Sequence, residues 1–138
     1  MEHASVQLVR KYFAALAKGD MAAAGALFAD DIVWHQPGNS ALSRTYRGKS
    51  ELFPLLGRFM ELSQGTFQID QVRSVMANGD RVAATIHFRA QRSGAELSMD
   101  GVDLMRVADG LIREVWLFSG DQDAEDKFWD GATSAAHA

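Results

Sequence analysis

Hydrophobic positions in this chain change period once, near Gly65, and that change divides it into a helical half and a sheet half. Before it, Val6, Val9, Tyr12, Phe13 and Leu16 recur at the spacing of one helix face, and Gly19 follows as a stop. Asp20 is placed to cap a short alanine-rich second helix over about 21–28. Ile32 to Gln36 reads as a short strand ended by Pro37-Gly38, and 39–48 as a polar loop. A third helix is expected over about 49–62, with Leu52, Leu55, Leu56 and Phe59 on one side. After Gly65 the period is 2. Strands are expected at about 66–77, 81–92, 95–107 and 111–119, separated by Asn78-Gly79, Ser93-Gly94 and Asp109-Gly110, which are two-residue hairpin signals. Asp121 then caps a last short helix that turns Phe128 and Trp129 inward.

The hairpin loops set the strand register. With Ser93-Gly94 as the loop, Leu97 lies opposite Ala90, Met99 opposite Phe88 and Asp103 opposite Ala84. With Asp109-Gly110 as the loop, Val107 faces Ile112, Met105 faces Glu114 and Asp103 faces Trp116. Alternation then collects Val82, Ala84, Ile86, Phe88, Leu97, Met99, Met105, Val107, Ile112, Trp116 and Phe118 on one surface. Asp103 and Glu114 are the only acids among them. A carboxylate in such company costs free energy unless it is paired, protonated or functional. On the other surface, His87 is expected opposite Asp70. Helices followed by a curled antiparallel meander make an α+β fold, with the helices covering the sheet's apolar face and leaving a cone with an open mouth.

Composition narrows the function classes. The 138 residues, 47% of them hydrophobic, suit a single domain over 1–130, with 131–138 expected to form a disordered tail. Net charge is −4 with both signs interspersed, so neither a nucleic-acid footprint nor a membrane-binding basic helix is present. The chain has no cysteine, which removes disulfides and thiol nucleophiles. His3, His35, His87 and His137 are scattered, so no metal site is expected, and no glycine-rich phosphate loop suggests a nucleotide cofactor. With no apolar stretch long enough to span a bilayer and no signal-peptide pattern, a cytoplasmic protein is expected.

Tyr12-Phe13-Ala14-Ala15-Leu16, Gly19-Asp20, Leu27-Phe28-Ala29-Asp30-Asp31, Pro37-Gly38, Arg47-Gly48, Asp103-Leu104-Met105-Arg106-Val107 and Asp109-Gly110-Leu111-Ile112 occur in that order. Together they resemble the nuclear-transport-factor-2-like superfamily of cone-shaped α+β barrels. Within it the chain is most similar to the SnoaL-like (polyketide cyclase type) and steroid Δ5-isomerase branches. The resemblance implies that Tyr12 and Asp103 occupy the isomerase's two oxyanion positions; that isomerase is the standard example of an acid kept neutral by an apolar site. The isomerase's general base would fall at Gln36, which cannot accept a proton. His35, next in sequence, and Glu114, on the expected inner face, are the two candidates to replace it. Trp34, Gln36, Phe59, Met99, Met105, Trp116 and Phe118 are the expected walls of a pocket for an apolar, carbonyl-bearing molecule.

Two functional readings follow. One is a cofactor-free isomerase- or cyclase-type enzyme that moves a proton next to a carbonyl; the other is a binding module of the same shape without turnover. A third, a protein-interaction scaffold, would require the cavity to be collapsed by its own aromatics. The outer sheet face mixes Val102, Leu104, Val115 and Leu117 with charges, and the resembled family commonly dimerises there, so a homodimer is expected.

Overall fold

A computed structural model describes residues 3–136, with side chains to residue 131. Helices α1 (Ala4–Ala17) and α2 (Met21–Ala26) lead into β1 (Phe28–His35) and the short β2 (Thr45–Arg47). Helix α3 (Lys49–Leu62) precedes the meander β3 (Gln68–Asn78), β4 (Arg81–Arg92), β5 (Ala95–Ala108) and β6 (Leu111–Ser119), and α4 (Gln122–Ala136) closes the described chain. The six strands form one sheet in the order β2-β1-β6-β5-β4-β3. All pairs are antiparallel except β1 with β6, which is parallel. The result is a cone-shaped α+β fold with a mixed rather than purely antiparallel sheet.

The local signals act as expected where they are strongest. Gly19 adopts φ +72° after α1, and the Asp20 carboxylate accepts from the Ala23 N–H at 3.0 Å, capping α2. Asp109 and Gly110 both have positive φ, the geometry of a type I′ hairpin turn. Strand β2 lies inside the segment read as a loop. Its three residues offer no period to detect, and it exists because it pairs with the end of β1. The last helix extends to Ala136, through most of the segment expected to be a tail. Met1, Glu2, His137 and Ala138 lie outside the described residues.

Register is where the structure departs from expectation. The β4–β5 pairing follows the Ser93-Gly94 loop throughout, so Asp103 sits opposite Ala84, which is fully buried. The β5–β6 pairing starts as expected at Val107 and Ile112, then slips by one residue at Arg113. Arg113 is a β-bulge: one extra residue on β6, after which every side chain changes face. Met105 therefore faces Val115, and Asp103 faces Leu117. Val115 is fully buried and Leu117 packs on the core, whereas Glu114, Trp116 and Phe118 point outward. On β3 the loop is Gly79-Asp80, one residue later than expected. Two further irregularities in β3 cancel that offset by Ile69 and Phe88; Gln71 lies opposite His87, yet the side chain of Asp70 still meets His87, with Nδ1 and Oδ1 2.7 Å apart.

Gly101 lies on the inner face of β5, opposite Ile86 of β4 and Ser119 of β6. A Cβ there would lie 2.7 Å from the Phe118 carbonyl oxygen and 3.1 Å from the Phe88 ring. Gly101→Ala should therefore destabilise the fold by about 1–3 kcal/mol, as overpacking does elsewhere. The shift in urea midpoint at constant slope measures this.

Helix α1 packs on β3 and β4, α3 on β1 and β2, and α4 on β5, β6 and α3. The sheet's cover thus includes the C-terminal helix as well as the first three. Trp129 on α4, 1% exposed, stacks near Phe59 and Phe67 with centroids 5.0 and 5.9 Å away.

Candidate active site

A cavity of about 410 Å³ opens between the inner sheet face and the helices. Its walls come from every layer: Tyr12 from α1, Trp34 and Gln36 at the end of β1, Phe59 from α3, Asp103 from β5, Glu125 and Trp129 from α4. Met21 and Met60, about half exposed, belong to the same wall and mark its solvent side. The lining is mostly apolar with a few polar groups, the usual construction of a small-molecule site.

Asp103 is 6% exposed, and its carboxyl has no hydrogen-bond partner among the described residues although it forms part of the cavity wall. Burial, and then the charge of Glu125, raise its pKa to about 7. Its neighbour Tyr12 is 3% exposed and likewise has no hydrogen-bond partner among the described residues. Burial, and then Asp103, push the phenol far above its ordinary value, so the hydroxyl remains a neutral donor.

Gln36 is oriented by Trp34. The indole N–H donates to Gln36 Oε1 at 3.0 Å, which leaves the amide N–H2 as the group available to a ligand. Glu125 is the functional-site candidate that sequence reasoning missed. It is 5% exposed, and its Oε1 accepts from the Ser119 hydroxyl at 2.7 Å and the Gln122 amide at 3.0 Å. Its Oε2 accepts from the Trp129 indole N–H at 3.2 Å. The spacing 125, 128, 129 places Glu125 on the helix face that carries Phe128 and Trp129, and that was the available signal.

The two expected bases are elsewhere. Because of the bulge, Glu114 lies on the outer face, where its Oε2 is 2.6 Å from His35 Nε2. His35 Nδ1 is 3.1 Å from Thr45 Oγ1, and its ring stacks on Trp116 with centroids 5.5 Å apart. If Nε2–H donates to Glu114, Nδ1 is left to accept from the Thr45 hydroxyl, which satisfies both nitrogens. The structure brings His35 and Glu114 together, but not to Asp103. Of the expected walls, Trp34, Gln36 and Phe59 line the cavity, and Phe118 borders it with a side chain 56% exposed. Met105 and Met99 pack in the core behind the wall, and Trp116 faces outward beside His35.

A consequence is measurable. His35→Asn and Glu114→Gln should leave cavity ligand affinity within about twofold, since neither touches the wall, and should cost only about 1 kcal/mol of stability as a partly exposed pair. Fluorescence titration alongside urea unfolding separates the two effects. Among the described residues, no group of three or more His, Asp or Glu is placed to hold a metal ion. No described helix is long and apolar enough to cross a membrane.

The family model described as the SnoaL-like domain matches residues 9–115. An uncharacterized protein of Mycobacterium tuberculosis is 34% identical over 129 residues, covering 93% of this chain and 98% of the relative. A solved structure of a protein of unknown function with a cystatin-like fold, from Xanthomonas campestris, is 46% identical. Its TM-score is 0.88, with 91% of this chain and 97% of that one covered. An NTF2-like protein of unknown function from Burkholderia pseudomallei, at 17% identity and TM-score 0.79 over 92% of this chain and 98% of that one, shares the fold.

Proposed function

The chain belongs to the SnoaL-like domain family, within the nuclear-transport-factor-2-like fold, and from that premise we propose that it is a small-molecule enzyme of the isomerase or cyclase type. It moves a proton at a carbon next to a carbonyl of a largely apolar substrate. The observation that carries this reading is Asp103: a buried carboxyl on the cavity wall, without a hydrogen-bond partner among the described residues, with a pKa of about 7. A group that titrates near the working pH can both take and return a proton.

The roles follow from the geometry. The substrate carbonyl lies against the Tyr12 hydroxyl and the Gln36 amide, which donate to the oxygen as negative charge develops. Asp103, in its ionised form, removes the proton from the adjacent carbon and returns it to the rearranged product. Glu125 stays in place through its three donors and disfavours a second negative charge beside it. This replaces His35 and Glu114 as candidate bases with Asp103, the cavity acid that no donor among the described residues holds.

The test uses a neutral ketone such as 2-tetralone in deuterated buffer, with label uptake next to the carbonyl followed by NMR. Wild-type protein should accelerate uptake, Asp103→Asn should lose roughly 10²–10³ of that acceleration, and His35→Asn should retain it. A ketone that binds in the cavity with no label uptake above buffer would decide for the binding module. Gln36 supports that alternative, since it stands where the resembled isomerases keep their base.

We also propose a homodimer through the outer sheet face, where Val102, Leu104, Trp116 and the exposed Phe118 lie together. Sedimentation equilibrium should give a dimer for the wild type and a monomer for Leu104→Asp. A monomeric wild type at micromolar concentration would remove the proposal.

A further inference from the structure

The charges around the cavity are of one sign. Among the described residues, its charged wall groups are Asp70, Asp103 and Glu125, with no lysine, arginine or histidine. Asp70 belongs to the rim, where it pairs with His87 at 2.7 Å and lies 3.9 Å from Arg89. Among the described residues the two interior acids have no counter-ion: Glu125 is held by a hydroxyl, an amide and an indole, all neutral, and the ionisable groups that interact with Asp103 are Glu125 and Tyr12. A bound carboxylate, sulfate or phosphate would meet these acids in a site largely closed to water, where like-charge contact is costly.

The uncharged polar groups define what fits instead. The Tyr12 hydroxyl and the Gln36 amide N–H2 require an acceptor, and the carboxylate of Asp103 on the same wall, which has no donor among the described residues, requires one from the ligand. The remainder of the wall is aromatic, with Trp34, Phe59, Phe67, Phe88 and Trp129 presenting rings to a flat apolar body.

We propose that the cavity takes an uncharged aryl ligand whose buried end pairs a carbonyl with a neighbouring hydroxyl, and that Asp103 and Glu125 exclude analogues bearing an anionic group at that end. The proposal deepens the functional reading above and rests on the same cavity, but it concerns recognition and requires no turnover.

A matched pair of ligands tests it: 2-acetyl-1-naphthol, a neutral hydroxyketone, and 1-hydroxy-2-naphthoate, which has a carboxylate where the first has its acetyl group. Calorimetric titration at pH 8 should show the hydroxyketone binding wild-type protein on the order of a hundredfold more tightly. Glu125→Gln should narrow that ratio, and so should Asp103→Asn, so failure of either variant to fold leaves the other to report. Naphthoate binding as tightly as the hydroxyketone, or a hydroxyketone that fails to bind wild type, would overturn the proposal. Discrimination without label uptake in the deuterium assay would sink the proton-transfer reading and leave this one standing. Label uptake without discrimination would do the reverse.

Discussion

Asp103→Asn should make the protein more stable at pH 8, by about 2–4 kcal/mol, while losing roughly 10²–10³ of the proposed proton-transfer acceleration. An aspartate in the unfolded chain titrates near 3.8, and Asp103 in the fold titrates at about 7. Between those values the folded protein keeps a proton that the unfolded chain has released. Stability from this group is therefore fully present below about pH 4, declines as pH rises towards 7, and stays lost above that. The total loss is about 4 kcal/mol if the whole shift applies. Asparagine has nothing to ionise, so the variant lacks this decline. Its amide must still find partners in the cavity, which is why the expected gain is set below the full amount. Urea unfolding at pH 5 and pH 8 measures it. The wild type should lose about 3 kcal/mol more than the variant between those two pH values. Parallel pH dependence in the two proteins would mean that Asp103 ionises as a surface acid does. A residue that weakens the fold at neutral pH without contributing a hydrogen bond fits the proposed chemical role, since stability is commonly traded for activity.

Deletion of Arg113 should leave the fold and both sheet faces in place. Without the bulge residue Ile112 is followed directly by Glu114, and the pairing that begins at Val107 and Ile112 continues in phase along β6, with Glu114 opposite Arg106, Val115 opposite Met105 and Leu117 opposite Asp103 as before. Val115 and Leu117 stay inward, and Glu114, Trp116 and Phe118 stay outward. The deletion removes the bond from Arg113 Nε to the Ala108 carbonyl at 3.1 Å, longer contacts to Asp31 and Asp109, and the local twist of the bulge. Its cost should be about 1–3 kcal/mol. Arg113→Ala, which keeps the backbone count, should cost about 1 kcal/mol. Urea unfolding and the near-UV spectrum measure both. A deletion protein that lacks a cooperative transition would show that the fold needs the bulge itself and not only the pairing beyond it.

This bulge also explains why part of the site could not be read from residues alone. Strand β4 alternates cleanly, and its hairpin loop sets one register, so the position of Asp103 opposite Ala84 was legible. Strand β6 carries apolar residues in both phases: Val115 and Leu117 in one, Trp116 and Phe118 in the other. Hydrophobic pattern alone cannot choose between them. Glu114 held the clue, since only an extra residue takes that carboxylate off the apolar face. His87 meets Asp70 as expected through their side chains, although the turn lies one residue later and the ladder sets Gln71 opposite His87, with Asp70 the extra residue of an irregularity in β3. Glu125 was legible only through its helical spacing to Phe128 and Trp129, which places it on the buried side of α4. Family likeness identified Tyr12 and Asp103 as a pair. It could not supply the base, because that position holds Gln36 and the residues next in line face away from the cavity.

The most direct test of the account is a titration of the Asp103 carboxyl carbon itself, by carbon-13 NMR of aspartate-labelled protein with Asp103→Asn used to assign the signal. The account predicts a midpoint at about 7. A midpoint in the ordinary carboxylate range near 4 would contradict it, because the acid would then be solvated or hydrogen-bonded rather than held dry and unpaired on the cavity wall.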